Sequence, residues 1–133
     1  MKISEFINNQ TEEAKNVFKT LDILIRKHDK NITVEVGSIM SIKKALVYKQ
    51  DNVFKYGLTV TKNHFSYHSM VMYAYPKVLE RFKEQSKGIK FQKGCFNFKT
   101  LNNIDLSNFE VFLKDSAEQD FTPIINHYKS KKK

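Results

Sequence analysis

Apolar residues recur at helical spacing in the first part of the chain. Ile3, Phe6 and Ile7 share one side of a short helical turn. Thr11 then has the residue type of an N-cap. The residues after it form one apolar stripe, made of Ala14, Val17, Phe18, Leu21, Leu24 and Ile25. The pattern predicts an amphipathic helix that covers one face of a sheet and ends near residues 28–31.

From residue 32 the period changes to two, which is typical of half-buried strands. Runs at 32–36 and 42–49 alternate apolar and polar residues, and a turn-forming segment follows at 50–52. Because the connections are short, we expect antiparallel pairing, since a parallel pair needs a crossover of about a dozen residues.

The run at 54–60 alternates most regularly. Phe54 and Tyr56 lie on its predicted apolar face, whereas Lys55 and Gly57 lie on the opposite, more polar face. This alternation indicates a strand with one face on the core.

Two further strands are predicted beyond this run. A tight turn at Lys62-Asn63 leads into a strand over residues 64–72. The last strand spans residues 89–99, with Gly94 as a bulge or bend.

Helix signals surround these last strands. Pro76 marks the start of a middle helix, because proline is tolerated at the first helical position. Ser107 and Glu110 have the spacing of a capping box, which predicts a helix over residues 108–118. A final short helix begins at Thr122.

The elements predict an α+β fold. We expect an antiparallel, mostly meander sheet of about five strands, with N-terminal, middle and C-terminal helices packed on it. The 133 residues fit one domain, which we place at residues 1–128, followed by a basic frayed tail at 129–133.

The charge of the chain is uneven. The net charge is +9, and residues 31–100 carry +8 of it, whereas residues 1–30 carry +1 and residues 101–133 balance. A basic central segment favours attraction to phosphates, nucleic acid or acidic proteins, although a solvated, solubilising surface gives the same pattern.

Cysteine content and hydropathy bear on the compartment. Cys95 is the only cysteine, so no internal disulfide forms, and the N-terminal residues lack the pattern of a secretory leader. No apolar run approaches the roughly 20 residues that span a bilayer. We expect a cytoplasmic protein without membrane association, and its oligomeric state stays open.

Titratable residues concentrate in one predicted strand. His64, Ser66 and His68 share a face, and Lys62 precedes them in the turn. Such a cluster suits a carboxylate or phosphate, held by charge-assisted hydrogen bonds; a solvated strand face is the alternative. The two histidines are rooted about 13 Å apart along a strand, too far to bind one metal ion. We therefore assign no metal ligands.

A second polar segment spans residues 90–98. Gly94 permits a turn that could direct N–H groups at an anion, but the spaced glycines of a phosphate loop are missing. Cys95 beside Lys93 could have a lowered pKa, although an inert thiol is the more common outcome. We predict no catalytic residues and no cofactor. The candidate ligand-binding residues are Tyr48, Lys62, His64, Ser66, His68, Lys93 and Gly94.

Nucleic acid is a further possible partner of a basic chain. Aromatic residues alternate with lysine, as in Phe54-Lys55-Tyr56, and such a pattern can stack bases. The same aromatic positions are needed for a sheet core, and no RNA-recognition or helix-turn-helix signature is present.

The two polar segments also carry a family resemblance. Residues 62–70 (KNHFSYHSM) and 90–98 (KFQKGCFNF), together with Tyr48 and the run at 54–61, resemble the YdhG-like family of small bacterial domains of unknown function. The similarity covers about residues 33–118. It implies a curved antiparallel sheet backed by helices, and no established enzymatic reaction.

Some members of that family are described as frataxin-like iron chaperones. Frataxin-like iron handling is associated with acidic residues on the first helix and sheet edge, whereas the central segment here is strongly basic. A positive surface repels iron ions. We therefore expect a non-enzymatic binding domain for an anionic small molecule or acidic protein, with an iron chaperone as the alternative.

Overall fold

The computed structural model describes residues 1–131 and confirms the α+β fold. The helices are α1 (Ile3–Asn8), α2 (Glu12–His28), α3 (Met70–Ala74), α4 (Lys77–Glu84), α5 (Leu106–Glu118) and α6 (Thr122–Lys131). The strands are β1 (Thr33–Ile39), β2 (Ile42–Gln50), β3 (Val53–Val60), β4 (Phe65–Ser69), β5 (Lys90–Phe91) and β6 (Cys95–Phe98). A single 3₁₀ turn at Leu101–Asn103 connects the sheet to α5.

All strands belong to one antiparallel sheet in the order β1-β2-β3-β4-β6-β5. The first four strands form the expected meander. The sheet has six strands rather than about five, because the segment predicted as one strand over 89–99 folds back on itself. Gln92 N–H donates to the Cys95 carbonyl at 2.8 Å and closes that hairpin, which places β5 at the sheet edge.

Local hydrogen bonds decide where the helices begin. The Thr11 hydroxyl accepts from Ala14 N–H at 3.2 Å, which confirms the predicted N-cap of α2. The predicted capping box of α5 is wrong. Asp105 caps α5 instead, by accepting from Asn108 N–H at 3.2 Å, so Ser107 lies inside the helix.

The strand predicted over residues 64–72 is shorter than expected. The Ser69 hydroxyl accepts from Met72 N–H at 3.0 Å and starts α3 directly after β4. A side-chain cap at Ser69 therefore ends the strand. The apolar residues after it are also compatible with a strand, which is why the longer strand was predicted.

A β-bulge changes the faces of β3. Tyr48 on β2 pairs with Tyr56, but its neighbour Lys49 pairs with Phe54, so Lys55 is an extra residue. The predicted alternation is therefore wrong at the start of β3. Phe54 turns away from the helices, and Lys55 becomes buried instead of facing solvent.

Lys55 is only 1% exposed and is held by a set of polar partners. Its Nζ lies 2.7 Å from Asp29 Oδ2 and donates to Gln50 Oε1 at 2.6 Å. The Tyr56 hydroxyl also donates to Asp29 Oδ2, at 2.9 Å. The Phe121 ring lies 5.0 Å from the ammonium. This cluster joins the end of α2 to the bulge of β3, because Asp29 directly follows the last helical residue.

The two faces of the sheet differ in what covers them. The core face packs against all six helices and contributes Leu46, Tyr48, Tyr56, Leu58, Phe65, Tyr67, Phe96 and Phe98 to one continuous cluster. The outer face carries a second, smaller apolar cluster that comes from strands alone: Ile39, Ile42, Ala45, Val47 and Phe54. Among residues 1–131, no helix contributes to that outer cluster.

Tyr67 stands at the centre of the core face. Its ring lies 5.3 Å from Phe96 and 5.4 Å from Phe109 between centroids, and it is completely buried. Its hydroxyl is the one buried side-chain polar atom without a hydrogen-bond partner in the described part of the chain.

Helix α6 extends through residue 131, three residues beyond the domain end predicted at 128. The last two residues of the predicted tail lie outside the described residues. In the range 1–131, no helix is both long and apolar enough to cross a membrane.

Replacing Asp29 by Asn should lower the free energy of unfolding by about 3 kcal/mol, because the Lys55 ammonium would remain buried without its counter-charge. Lys49→Met is the matched control, since it removes a partly exposed ion pair with Glu35 and should cost less than about 1 kcal/mol. Urea unfolding followed by circular dichroism measures both variants. Equal losses would contradict a special role for the buried pair.

Two tyrosine-to-phenylalanine substitutions should differ in their effect on the free energy of unfolding. Tyr56→Phe removes a hydrogen bond to the buried Asp29 carboxylate and should cost about 2 kcal/mol. Tyr67→Phe removes a buried hydroxyl without a partner, so it should leave stability unchanged or raise it by about 1 kcal/mol. Urea unfolding of the two variants side by side tests this, and a larger loss for Tyr67→Phe would refute it.

Candidate functional site

Polar side chains cross the outer face in one row. The strand register places Thr59 opposite Ser66, Ser66 opposite Asn97, and Asn97 opposite Lys90. Residues paired in this way point to the same face of a sheet. The row therefore runs from the middle of the sheet to the edge strand β5.

Hydrogen bonds order the side chains of this row. The Ser66 hydroxyl donates to Asn97 Oδ1 at 2.6 Å, which leaves the hydrogens of the Asn97 amide nitrogen available as donors. His68 Nε2 lies 3.0 Å from the Thr59 hydroxyl oxygen, and burial lowers the pKa of His68. The neutral imidazole is therefore favoured at this position.

The edge end of the row opens into a groove of about 250 Å³, which we name the basic groove. It lies between the turn that precedes β4 and the segments that flank β5 and β6. Its lining residues are Asn63, His64, Gly88, Lys90, Asn97, Phe98 and Lys99. The groove thus contains two ammonium groups, one imidazole and two side-chain amides, and no carboxylate is found among the described residues that line it.

The lysines of the basic groove are not neutralised by the protein. None of the six ion pairs formed within residues 1–131 involves Lys90 or Lys99. Both side chains are exposed at the rim. Their positive charge therefore faces the solvent of the groove.

The backbone of the groove is held by Asn103. Its Oδ1 accepts from Lys99 N–H and Thr100 N–H, both at 3.1 Å. Gly88 has a positive φ of 75°, and a Cβ at this position would lie 2.8 Å from Asn103 Nδ2. Glycine is required here both for its conformation and for the close approach of this amide.

The structure brings only part of the predicted site together. The strands that carry the two polar segments do pair, as β4 and β6. His64 lies in the turn immediately before β4 and lines the basic groove, and Lys62 precedes it in the same turn. Gly94 lies at the far end of β4, where its carbonyl accepts from Ser69 N–H at 2.9 Å. Five residues of strand correspond to about 16 Å, so Lys93 and Gly94 are remote from His64.

Tyr48 lies outside the predicted pocket altogether. Its ring belongs to the core face, and its hydroxyl donates to Asp22 Oδ1 at 2.6 Å beneath α2. Burial, and next the Asp22 carboxylate, raise the pKa of Tyr48 well above its ordinary value. Alternation along β2 separates it from the outer face, where Ser66 and His68 lie.

Cys95 is not activated by its basic neighbour. Partial burial raises the pKa of its thiol, and Sγ lies 3.5 Å from Gln92 Oε1 as a donor. The lowered pKa considered from its proximity to Lys93 is therefore wrong. The thiolate, which is the nucleophilic form, is disfavoured.

Two other hypotheses find little support in the geometry. Tyr56 is buried in the core, so its ring offers no open surface for stacking bases. Within residues 1–131, no group of three histidine, cysteine or acidic side chains lies close enough to share a metal ion.

Sequence reasoning missed Lys90, Asn97 and Lys99 as site residues. Lys90 and Asn97 were within the second polar segment. Lys93 and Gly94 were selected as site residues because a bend was expected at Gly94, and the pairing register of the strands was not considered. Recognising 92–94 as a hairpin turn would have placed Lys90 beside Asn97.

Comparison of the chain with protein-family models, curated proteins and solved structures gives no match.

The free energy of unfolding should fall on mild acidification, because His68 becomes protonated. Its pKa is lowered in the folded state, so below about pH 6.5 the unfolded chain binds the proton first and unfolding is favoured. His68→Gln should show a smaller loss of stability between about pH 7.5 and about pH 5.5. Urea unfolding across this range tests it, with the exposed His127→Gln as matched control. An unchanged pH dependence in His68→Gln would contradict the prediction.

Proposed function

We propose that this protein is a non-enzymatic binding domain whose basic groove holds the phosphate or carboxylate group of a small molecule. The observation that supports this proposal best is the composition of the groove. Lys90, Lys99 and His64 converge there without a carboxylate in the lining. Charge-assisted hydrogen bonds from such groups favour anions.

The polar row supplies the rest of the proposed site. Asn97 and Asn63 offer neutral donors between the charged groups, and Ser66 orients Asn97 through its hydrogen bond. A hydrogen bond from a neutral amide depends on the direction of the acceptor as well as on its distance. The site would therefore bind an anionic group in a defined orientation.

The dimensions of the groove favour a small group over a folded partner. Its volume of about 250 Å³ is slightly below the range of about 300–1,000 Å³ that accommodates drug-sized ligands. The groove would therefore enclose an anionic head group, and the remainder of the ligand would lie over the outer face. An acidic protein would need a larger complementary surface.

The chemistry of the groove supports binding rather than catalysis. None of the described residues that line it carries a thiol, hydroxyl or carboxylate group. The iron-chaperone alternative has no supporting observation, because residues 1–131 provide no cluster of metal-binding side chains. We therefore carry forward the anion-binding function alone.

Amide NMR titration with inorganic phosphate at constant ionic strength tests this proposal. We expect saturable shifts concentrated at residues 63–64, 88–90 and 97–99. Lys90→Gln and Lys99→Gln should each weaken binding about fivefold, because each removes one partly exposed charge contact.

Lys114→Gln is the matched control for these variants. Lys114 is an exposed lysine on α5, in the helical layer on the other side of the sheet. Its replacement changes the net charge equally and should leave the affinity unchanged. Shifts scattered over many lysines, or equal effects of all three variants, would refute a specific site in the basic groove.

A further inference from the structure

A second and larger groove lies on the helical side of the sheet edge. It encloses about 710 Å³ between the helical segment formed by α3 and α4 and the hairpin of β5 and β6. We name it the amphipathic groove; its lining residues are Met72, Tyr73, Pro76, Leu79, Glu80, Lys83, Phe91, Gln92 and Lys93. It shares no lining residue with the basic groove.

The apolar wall of this groove is rigidly supported. The Phe91 ring lies 6.1 Å from Phe82 and 5.5 Å from Phe96 between centroids, so it is part of the aromatic core. Met72 and Leu79 also line the groove, and most of each side chain is buried in the core. Packed side chains of this kind provide a preformed surface rather than one that must be assembled on binding.

One aromatic ring remains uncovered at the groove. Tyr73 is 57% exposed, one of the few large apolar side chains with so much accessible surface. It lies beside the hairpin turn, since a Cβ at Gly94 would be 3.6 Å from Tyr73 Cδ2. The exposed ring extends the apolar surface of the groove up to that turn.

Two lysines mark the rim of the groove. The Lys83 ammonium lies 5.9 Å from the centroid of the Phe91 ring, directly above the apolar wall. Lys93 stands in the hairpin turn opposite. Glu80 is the only carboxylate in the lining, and none of the ion pairs found in residues 1–131 involves these three side chains. The rim therefore has an excess of positive charge beside an apolar wall.

We infer that the amphipathic groove binds a small acid with an apolar body, such as an aryl or alkyl carboxylate. The body would lie on Tyr73, Leu79 and Phe91, and the acid group would contact Lys83 and Lys93. The volume falls within the range of about 300–1,000 Å³ of small-molecule sites, whose walls are mostly apolar with few polar groups.

The edge strand argues for a small molecule rather than an extended peptide. A peptide that adds to a sheet gains affinity through repeated main-chain hydrogen bonds. Strand β5 has only two residues, Lys90 and Phe91, so the edge can provide at most a short ladder. This site is independent of the basic groove, and its failure or success leaves the proposed function untouched.

Binding of naphthylacetate, compared with its neutral isostere naphthylacetamide, tests the inference. Amide NMR titration of the full chain should show saturable shifts at Tyr73, Leu79 and Phe91 for the acid. The amide should bind at least about fivefold more weakly, because it lacks the charge that Lys83 and Lys93 attract.

Substitutions at the rim distinguish the contribution of charge to the affinity from that of the apolar surface. Lys83→Gln and Lys93→Gln should each weaken binding of the acid about fivefold and leave that of the amide unchanged, whereas Glu80→Gln should tighten binding of the acid. Lys114→Gln, on α5 and outside the lining of both grooves, is the matched control and should have no effect. All four positions are exposed, so these variants should fold.

Three outcomes would overturn the inference. These are equal affinities for acid and amide, unchanged acid binding in both rim variants, or shifts that concentrate outside the amphipathic groove. Tighter binding of the acidic peptide acetyl-EEFEE-amide at the same backbone amides would also overturn it, because a peptide and not a small acid would then be the better occupant.

Discussion

The buried ion pair between Asp29 and Lys55 is the interaction on which the arrangement of helices and sheet depends. Moving two charges out of water is costly, so the pair is stable only with further hydrogen bonds, and Gln50 and Tyr56 supply these. Because Asp29 follows α2 directly and Lys55 forms the bulge of β3, the pair joins the end of the longest helix to the sheet.

The bulge also determines which residues are available on each face. Turning Lys55 inward sends Phe54 to the outer face, where it joins Ile39 in the small apolar cluster beside Gly57. The polar row of Thr59, Ser66 and Asn97 continues across the sheet from there. The outer face thus carries a small apolar cluster on β1 to β3 and a polar row that runs from Thr59 on β3 to Lys90 on β5.

The hairpin of β5 and β6 contributes to both grooves because neighbouring strand residues point to opposite faces. Lys90 points into the basic groove, whereas Phe91 joins the aromatic core and forms the wall of the amphipathic groove. Four lysines of the basic central segment therefore lie on two separate surfaces at one edge of the sheet: Lys83 and Lys93 on one, Lys90 and Lys99 on the other. The basic groove combines positive charge with amide donors, whereas the amphipathic groove combines it with exposed aromatic area.

The sequence by itself determined the class of fold, the stripe and N-cap of α2, the meander of the first four strands and the polar face shared by His64, Ser66 and His68. These features depend on local periodicity and on caps, which neighbouring residues decide. Only the tertiary structure decided the inward turn of Lys55, the cap at Asp105, the hairpin at residues 92–94 and the separation of Lys93 from His64. Each of these depends on a partner distant in sequence or on a choice between competing local signals. A buried lysine, for example, is stable only because Asp29, 26 positions earlier, lies against it.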